Sequence, residues 1–179
     1  VRWTPQAVVQ VAMGGQQGVE AGKTAAYKVG IANSFVTAQN VVVTVPLPDD
    51  TRGITGAVRT QPFAPRLLSA SNGGLHTATA TVVDGVDVPA NSVFWRLGAM
   101  PAGRTQSLSF VLGYTNGLQN GVRYTMSASV GSVGAAVSSS GESITDLSSQ
   151  PALSLETTLG GTVFVNGQTF TVNQSGCSF

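Results

Sequence analysis

Short segments in which apolar and polar residues alternate recur along the chain, and turn residues separate them. In Ala25–Ile31 and in Val122–Val130, every second residue is apolar or aromatic and lies on one face of an extended chain. Gly and Asn clusters such as Asn72-Gly73-Gly74 and Asp84-Gly85 lie between such segments. Helical periodicity is nearly absent. Many short strands with regular turns, each with one solvated face, predict an all-β chain folded as antiparallel sheets in a sandwich or barrel.

The apolar positions of these segments define the expected core. We expect the following residues to be buried: Tyr27, Val29, Ile31, Val43, Trp95, Leu97, Phe110, Leu112, Tyr124 and Met126.

Two stretches of the chain lack this alternating pattern. Arg52–Gly74 is expected to be a long loop between strands. Ser132–Pro151, rich in Ser, Gly and Ala, is expected to be either a flexible linker or a polar strand followed by a loop.

The surface of this chain is predicted to carry few charges. Charged residues make up 9% of its 179 residues and the net charge is +1, whereas soluble domains usually contain about 25% charged residues. This composition is common among secreted β-proteins, and we expect an extracellular or cell-surface location. Lys and Arg form no run, so nucleic acid and anionic membranes are poor partners. No apolar stretch is long enough for a transmembrane segment, and the start at Val1 suggests a processed chain or a fragment.

The end of the chain has the pattern of a β-hairpin. Val163–Val165 and Thr169–Val172 flank Asn166-Gly167, the strongest short signal for a two-residue type I′ turn. The turn sets the pairing of Val165 with Gln168, Phe164 with Thr169 and Val163 with Phe170. Alternation then places four apolar residues on one face: Val163, Val165, Phe170 and Val172.

Two interpretations of this hairpin remain open. It is either the last hairpin of its own domain or a strand element donated to a neighbouring subunit. The N-terminal segment Ala7–Met13, with Val9 and Val11, is the rival donor. Cys177 is the only cysteine, so it forms no internal disulfide and is a candidate for an intermolecular one.

Three longer stretches carry a family resemblance: "VEAGKTAAYKVGIANSFVTAQNVVVTVPLPDDT" (Val19–Thr51), "FWRLGAMPAGRTQSLSFVLGY" (Phe94–Tyr114) and "GVRYTMSASVGS" (Gly121–Ser132). Their order resembles the conserved repeat domain of unknown function found in tandem on bacterial and archaeal surface proteins. The resemblance implies an immunoglobulin-like antiparallel β-sandwich over about Ala7–Leu155. That family usually has an Asp before its Leu-Pro turn, where this chain has Val45-Pro46.

The resemblance also bears on domain organisation. Asp49 or Asp50 would substitute as the cap of that turn. The tail "GTVFVNGQTFTVNQSGC" resembles the closing strands of bacterial BACON-type sandwich modules. We therefore divide the chain into a sandwich, residues 1–155, and a C-terminal β-hairpin extension, residues 156–179. Neither family implies catalysis.

Few residues are suited to chemistry. A single His76 and a single Cys177 do not readily build a catalytic triad or a zinc site, and we predict no enzymatic activity and no cofactor. Turn carboxylates supply the hard oxygen ligands that calcium prefers. The calcium candidates are Asp49, Asp50, Asp84 and Asp87, although Asp in turns more often caps the backbone. A sugar-stacking platform, for a glycan ligand, could use Trp3, Tyr27, Trp95, Tyr114 and Tyr124.

These observations predict a structural subunit of an extracellular assembly, such as a filament, a pilus-like fibre or a surface layer. Copies of the chain would join one another by strand addition. The alternatives are a spacer or adhesive module of a larger surface protein, and a carbohydrate- or protein-binding sandwich.

Overall fold

The structure, a computed structural model, describes residues 5–49, 51–55, 64–114, 122–137, 139–148, 162–165, 168–173 and 176–177. The strands in these residues are β1 Val8–Gly15, β2 Gly18–Glu20, β3 Thr24–Ser34, β4 Ala38–Pro46, β5 Ile54–Thr55, β6 Arg66–Ala70, β7 Leu75–Thr77, β8 Thr81–Val83, β9 Val86–Val88, β10 Ser92–Met100, β11 Thr105–Gly113, β12 Arg123–Val133, β13 Ala136–Val137, β14 Ser139–Ser148, β15 Thr162–Val165, β16 Gln168–Asn173 and β17 Gly176–Cys177. Within the described residues, no helix is long and apolar enough to cross a membrane.

Two sheets face each other and form an immunoglobulin-like β-sandwich. The first sheet has the strand order β13-β1-β3-β11-β6, and the second has the order β2-β14-β12-β4-β10-β7, with β5 beside β12. The chain passes from β3 in the first sheet to β4 in the second, returns to pair β11 with β3, and crosses again to pair β12 with β4. Pairing is antiparallel except for two short parallel pairs, β1 with β13 and β14 with β2. The predicted all-β fold is confirmed.

The core lies between the two sheets, and the two-residue period of the strands builds it. Along β3, buried residues alternate with more exposed ones, and β12 shows the same pattern over most of its length. All the predicted core residues are buried except Leu97, which is half-buried and packs against the core. Each fully buried large apolar side chain contributes about 1.5–3 kcal/mol, so this shared face is the main source of stability.

The outer face of the second sheet is covered in part by a small hairpin, β8 and β9. Val42 on β4 and Phe94 on β10 point away from the main core, yet both are buried because they form a second apolar cluster with Val88. Val83 and Val86 pack against this cluster. The hairpin turns at Asp84-Gly85, where both residues have positive φ, as a type I′ turn requires.

Gly131 on β12 makes room for this cover. A Cβ atom added there would stand 2.8 Å from Cγ2 of Val86, which real Cβ atoms do not tolerate. The sequence pattern of β4 alone, an unbroken run of valines from Val41 to Val43, did not indicate what buries its second face.

Both loosely patterned stretches contain strands. Arg52–Gly74, expected as one long loop, includes β5 and β6, and β6 pairs with β11 around a bulge at Leu68. That expectation was wrong because a five-residue edge strand with a bulge shows no clear alternation. Ser132–Pro151 contains β14, a polar strand that pairs with β12. The polar-strand alternative is therefore the correct one for its described part.

The N-terminal segment belongs to its own sandwich. β1 pairs with β3 along its whole length and with β13 on its other side. Val9 and Val11 are buried in the core between the sheets. Ala7–Met13 is therefore part of its own sandwich, although β13 pairs with its outer edge only at Val8 and Val9. Its role as a rival donor strand stays a prediction.

The C-terminal hairpin forms with the predicted register. β15 pairs with β16 through Val165–Gln168, Phe164–Thr169 and Val163–Phe170, and β17 adds to the other side of β16. We call these three strands the C-terminal ribbon. The predicted turn, Asn166-Gly167, lies outside the described residues. The division of the chain at residue 155 stays a prediction.

Candidate binding and assembly sites

Asp49 caps the turn that follows β4. Its Oδ1 accepts hydrogen bonds from the Thr51 amide (2.8 Å) and the Thr51 hydroxyl (2.6 Å), and its Oδ2 accepts one from Nδ2 of Asn91 (3.2 Å). Burial raises the pKa of Asp49, but these hydrogen bonds and the charge of Arg52 outweigh it and hold the pKa below its ordinary value. The structure thus gives Asp49 the capping role that the family resemblance suggested for it.

Asn91 links this turn to the single histidine. Because a carboxylate only accepts, the Asn91 amide nitrogen faces Asp49 and its oxygen faces His76, whose Nε2 lies 3.0 Å away and donates. Arg52 completes the cluster: its Nε donates to the Leu47 carbonyl (3.1 Å), and its Nη2 donates to the carbonyls of Asn91 (2.9 Å) and Ala90. These bonds connect the turn after β4, the segment before β10 and strand β7, so the cluster is explained as a structural connection at one end of the sandwich.

The calcium candidates do not meet in one place. Asp84 forms a two-pronged ion pair with Arg96, with oxygen–nitrogen distances of 2.6 and 2.9 Å, and the hydrogen bond from Arg96 lowers the pKa of Asp84. Asp87 lies exposed on β9, and Asp50 is outside the described residues. In the part of the chain that the structure describes, no three His, Cys, Asp or Glu residues gather as a metal site.

The alternative of a sugar-stacking platform finds no available ring among the members that the structure describes. Tyr27, Trp95, Tyr114 and Tyr124 are all buried in the core. The hydroxyl groups of Tyr27 and Tyr114 bond to each other, and Trp95 donates its Nε1 hydrogen to the Ser71 carbonyl at 2.8 Å. These rings fill the sandwich because alternation places them on its inner face. Trp3 lies outside the described residues.

An aromatic residue that the sequence analysis missed is instead exposed. Phe35 lies in the turn between β3 and β4 with φ 72°, and 74% of it is exposed. The Val36 amide donates to the Ser34 carbonyl at 3.1 Å, which with this φ is the pattern of a classic γ-turn, rare and strained. A residue held in such a conformation costs about 1–3 kcal/mol. We call Ser34–Val36 the Phe35 tip; its only signal was a phenylalanine in a turn without Gly or Pro.

Asn33 holds the Phe35 tip in place. This residue is 2% exposed, and its Nδ2 donates to the carbonyls of Val36 (2.8 Å) and Met100 (2.7 Å). Its backbone bonds to both Gly103 and Arg104 in the turn between β10 and β11. Its Oδ1 is buried without a hydrogen-bond partner. The hydrogen bonds of Asn33 thus connect the Phe35 tip to the turn between β10 and β11.

A cleft of about 380 Å³ begins beside the Phe35 tip. It is lined by Pro5–Ala7, Val36–Gln39 and Val133–Ala135. Its polar side-chain atoms are the amide groups of Gln6 and Gln39 and the hydroxyl of Thr37. The Gln6 Nε2 donates to the Gly134 carbonyl at 3.2 Å. No charged residue is among these lining residues, and Val133 is 58% exposed at its rim. We call it the tip cleft.

The C-terminal ribbon is the candidate assembly element. Val163 and Val165 lie on β15, Phe170 and Val172 on β16, and Cys177 on β17. The ribbon forms its own three-stranded sheet, and within the described residues none of its strands pairs with either sheet of the sandwich. From Thr157 to Phe179 the sequence contains no charged side chain.

Comparison with known proteins gives structural neighbours at low identity. No family model and no curated protein matches the chain. Two structures of a CARDB domain from Pyrococcus furiosus, one described in complex with di-metal ions, are 12–13% identical, cover 82–83% of this chain and all of theirs, and give a TM-score of 0.48.

Two further neighbours differ in what they do. A family 123 glycoside hydrolase from Clostridium perfringens is 6% identical, with a TM-score of 0.46 over 78% of this chain and 27% of its own. A collagen-binding domain of a Staphylococcus aureus adhesin is 11% identical, with a TM-score of 0.34 over 77% of this chain and 96% of its own. At these identities and TM-scores, metal binding, glycan hydrolysis and collagen binding are properties of those proteins and are not assigned to this chain.

Proposed function

We propose that this chain is a structural module of an extracellular or cell-surface assembly, in which copies join by β-strand addition through the C-terminal ribbon. The observation that carries the proposal is the pairing of the ribbon. Its strands bond to one another and, within the described residues, to no strand of the sandwich. On the outer side of β15, no described strand follows, so that edge is the place for another strand.

The β15 edge of the ribbon lacks two of the usual protections of a sheet edge, a bulge and a charge. Natural sheet edges avoid unwanted pairing by being short, bulged or charged. The edges of the sandwich follow this rule: β13 has two residues, β2 and β7 have three each, and β6 has its bulge at Leu68. β15 has four residues and no charge within or after it. An edge without a bulge or a charge supports a role in specific pairing.

The sequence pattern of the ribbon favours a negative free energy of association between two copies. Each backbone hydrogen bond nets roughly 1 kcal/mol, and burying a large apolar side chain contributes about 1.5–3 kcal/mol. Val163, Val165, Phe170 and Val172 alternate with polar residues, so they would share a face in a paired sheet. Together they can exceed the entropy cost of association, about 4–15 kcal/mol.

Removing the ribbon tests the proposal. We expect the full chain to associate as its concentration rises from micromolar to near-millimolar in sedimentation velocity. A chain that ends at Gly160 should stay monomeric with an unchanged far-ultraviolet β-sheet signal. Monomeric full chain over that whole range would contradict the proposal, and the spacer-module alternative would then replace it.

A matched pair of substitutions separates the two faces of the hairpin. Val165→Thr keeps the β-branched shape but makes the apolar face more polar, so association should weaken by about one order of magnitude. Thr171→Val, on the face predicted to be polar, should leave association unchanged. Equal effects of the two changes would mean that the apolar face does not form the junction.

The absence of enzymatic activity stays a prediction. His76 on β7 donates to Asn91 in the segment before β10, which explains its place without catalysis. Reproducible hydrolysis of a peptide, ester or glycan by the pure protein, abolished by His76→Ala, would contradict this prediction.

A further inference from the structure

We propose that the Phe35 tip and the tip cleft form a binding site for a neutral saccharide. This inference is independent of the C-terminal ribbon, since it uses only the turn between β3 and β4, the segment before β1 and the turn that follows β12. It assigns a ligand site to the end of the sandwich at which β3 meets β4.

Within the described residues, no contact compensates for the strained backbone of Phe35. A residue at φ 72° is strained, and Gly or Asn would occupy this position at lower cost. Burial of the ring does not offset this cost, because 74% of the residue is exposed. Of the large apolar side chains that are exposed within the described residues, Phe35 is the most exposed and the only aromatic one. The strain therefore points to a use outside the fold.

Hydrogen bonds connect the segments that line the site. Asn33 fastens the tip to the neighbouring turn through Val36 and Met100. Across the cleft, Gln6 bonds to Gly134 at 3.2 Å, and Ser132 donates to the Gln39 carbonyl at 2.6 Å. A preformed site loses little conformational entropy on binding, which favours affinity for a small ligand.

The chemistry of the lining selects the ligand class. The polar groups around the cleft are amides, a hydroxyl and backbone atoms, and none carries a charge. Such groups bond to the hydroxyls of a neutral sugar, whereas acidic saccharides and nucleic acid require cations. The exposed ring of Phe35 offers a flat apolar surface for the C–H face of a sugar ring. A cleft of about 380 Å³ lies within the usual size range of small-ligand sites.

Substitution of Phe35 should change two measured quantities in opposite directions: thermal stability should stay equal or rise, and saccharide binding should weaken. Phe35→Asn removes the ring and accepts the left-handed backbone, so its melting temperature should be equal to or above that of the parent chain. The full chain is titrated with cellohexaose, mannohexaose and chitohexaose in two-dimensional amide spectra. We expect at least one of them to shift the amides of Thr37, Gln39 and Val133, and Phe35→Asn to weaken this binding by about tenfold or more.

Control experiments distinguish a neutral saccharide from other ligands of the tip cleft. Leu75→Asn removes another exposed apolar side chain, 57% exposed on β7, and should leave saccharide binding unchanged. Heparin oligosaccharides and polygalacturonate should shift none of these amides. The proposal is overturned if no neutral saccharide shifts them at millimolar concentration, if Phe35→Asn binds as well as the parent chain, or if only an acidic saccharide or a peptide binds there.

Discussion

The hydroxyl oxygens of Tyr27 on β3 and Tyr114, which directly follows β11, lie 2.6 Å apart within the core. Both residues are almost fully buried, and Tyr114 also meets the ring of Tyr124 edge-on at a centroid distance of 5.0 Å. Buried hydroxyls require partners, and this bond joins two positions that are 87 residues apart in the chain.

Removing either hydroxyl of this pair should destabilise the sandwich. We expect Tyr27→Phe and Tyr114→Phe each to lower the free energy of unfolding by about 1 kcal/mol, because each removes one member of a buried hydrogen bond. The double variant should cost less than the sum of the two single variants. Denaturant unfolding of all four chains measures this coupling, and strict additivity would mean that the bond contributes nothing specific.

The same tyrosine cluster predicts a loss of stability at alkaline pH. Burial, with a smaller contribution from the charge of Tyr27, raises the pKa of Tyr124 to about 12 from an ordinary 10.0. A group whose pKa is higher in the folded state stabilises the fold fully below its unfolded pKa, and loses that contribution as pH rises through the folded value. Between pH 10 and 12 the free energy of unfolding should therefore fall by about 2–3 kcal/mol from this residue. Tyr124→Phe should flatten the decline; an identical decline in that variant would assign it to other groups.

Gly74, which precedes β7, and Gly30, on β3, should respond oppositely to alanine. A Cβ atom at Gly74 would stand 2.7 Å from Cε2 of Trp95 and equally close to the Cβ of Ala70. Gly74→Ala should therefore cost about 1–3 kcal/mol through displacement of the indole ring. At Gly30 on β3, nothing lies within 4 Å of an added Cβ, so Gly30→Ala should leave the thermal midpoint unchanged or raise it. Calorimetry of the two variants checks this contrast.

The ion pair between Asp84 and Arg96 should control the opening of the small hairpin formed by β8 and β9. Asp84→Asn keeps a residue that accepts positive φ and removes the charge, so amide hydrogen exchange in Val82–Val86 should become faster while the core amides keep their rates. Asp87→Asn, in the same hairpin but exposed, serves as the control. Unchanged exchange in Asp84→Asn would show that the apolar contacts of Val86 and Val88 hold the hairpin alone.

The fold class and the local registers could be predicted from the sequence because they depend on nearest neighbours. Alternation along Thr24–Ser34 predicts which side chains share a face. The Asn166-Gly167 turn predicts the pairing of Val163 with Phe170. The capping role of Asp49 was also accessible, since its partner Thr51 is two residues away. Phe35 was missed because the property that distinguishes it is a backbone angle, set by Asn33 and by a turn more than sixty residues further along the chain.

The sequence by itself determined that this chain forms two-faced strands, where they turn, and which residues are apolar on each. Only the tertiary structure decided what covers each face. It placed Val9 and Val11 in the core of their own sandwich, buried the candidate aromatic platform, and laid β8 and β9 over Val42 and Phe94. The physical reason is that alternation is local, whereas burial is a contact between segments far apart in the chain, and the same apolar face can be satisfied by several surfaces.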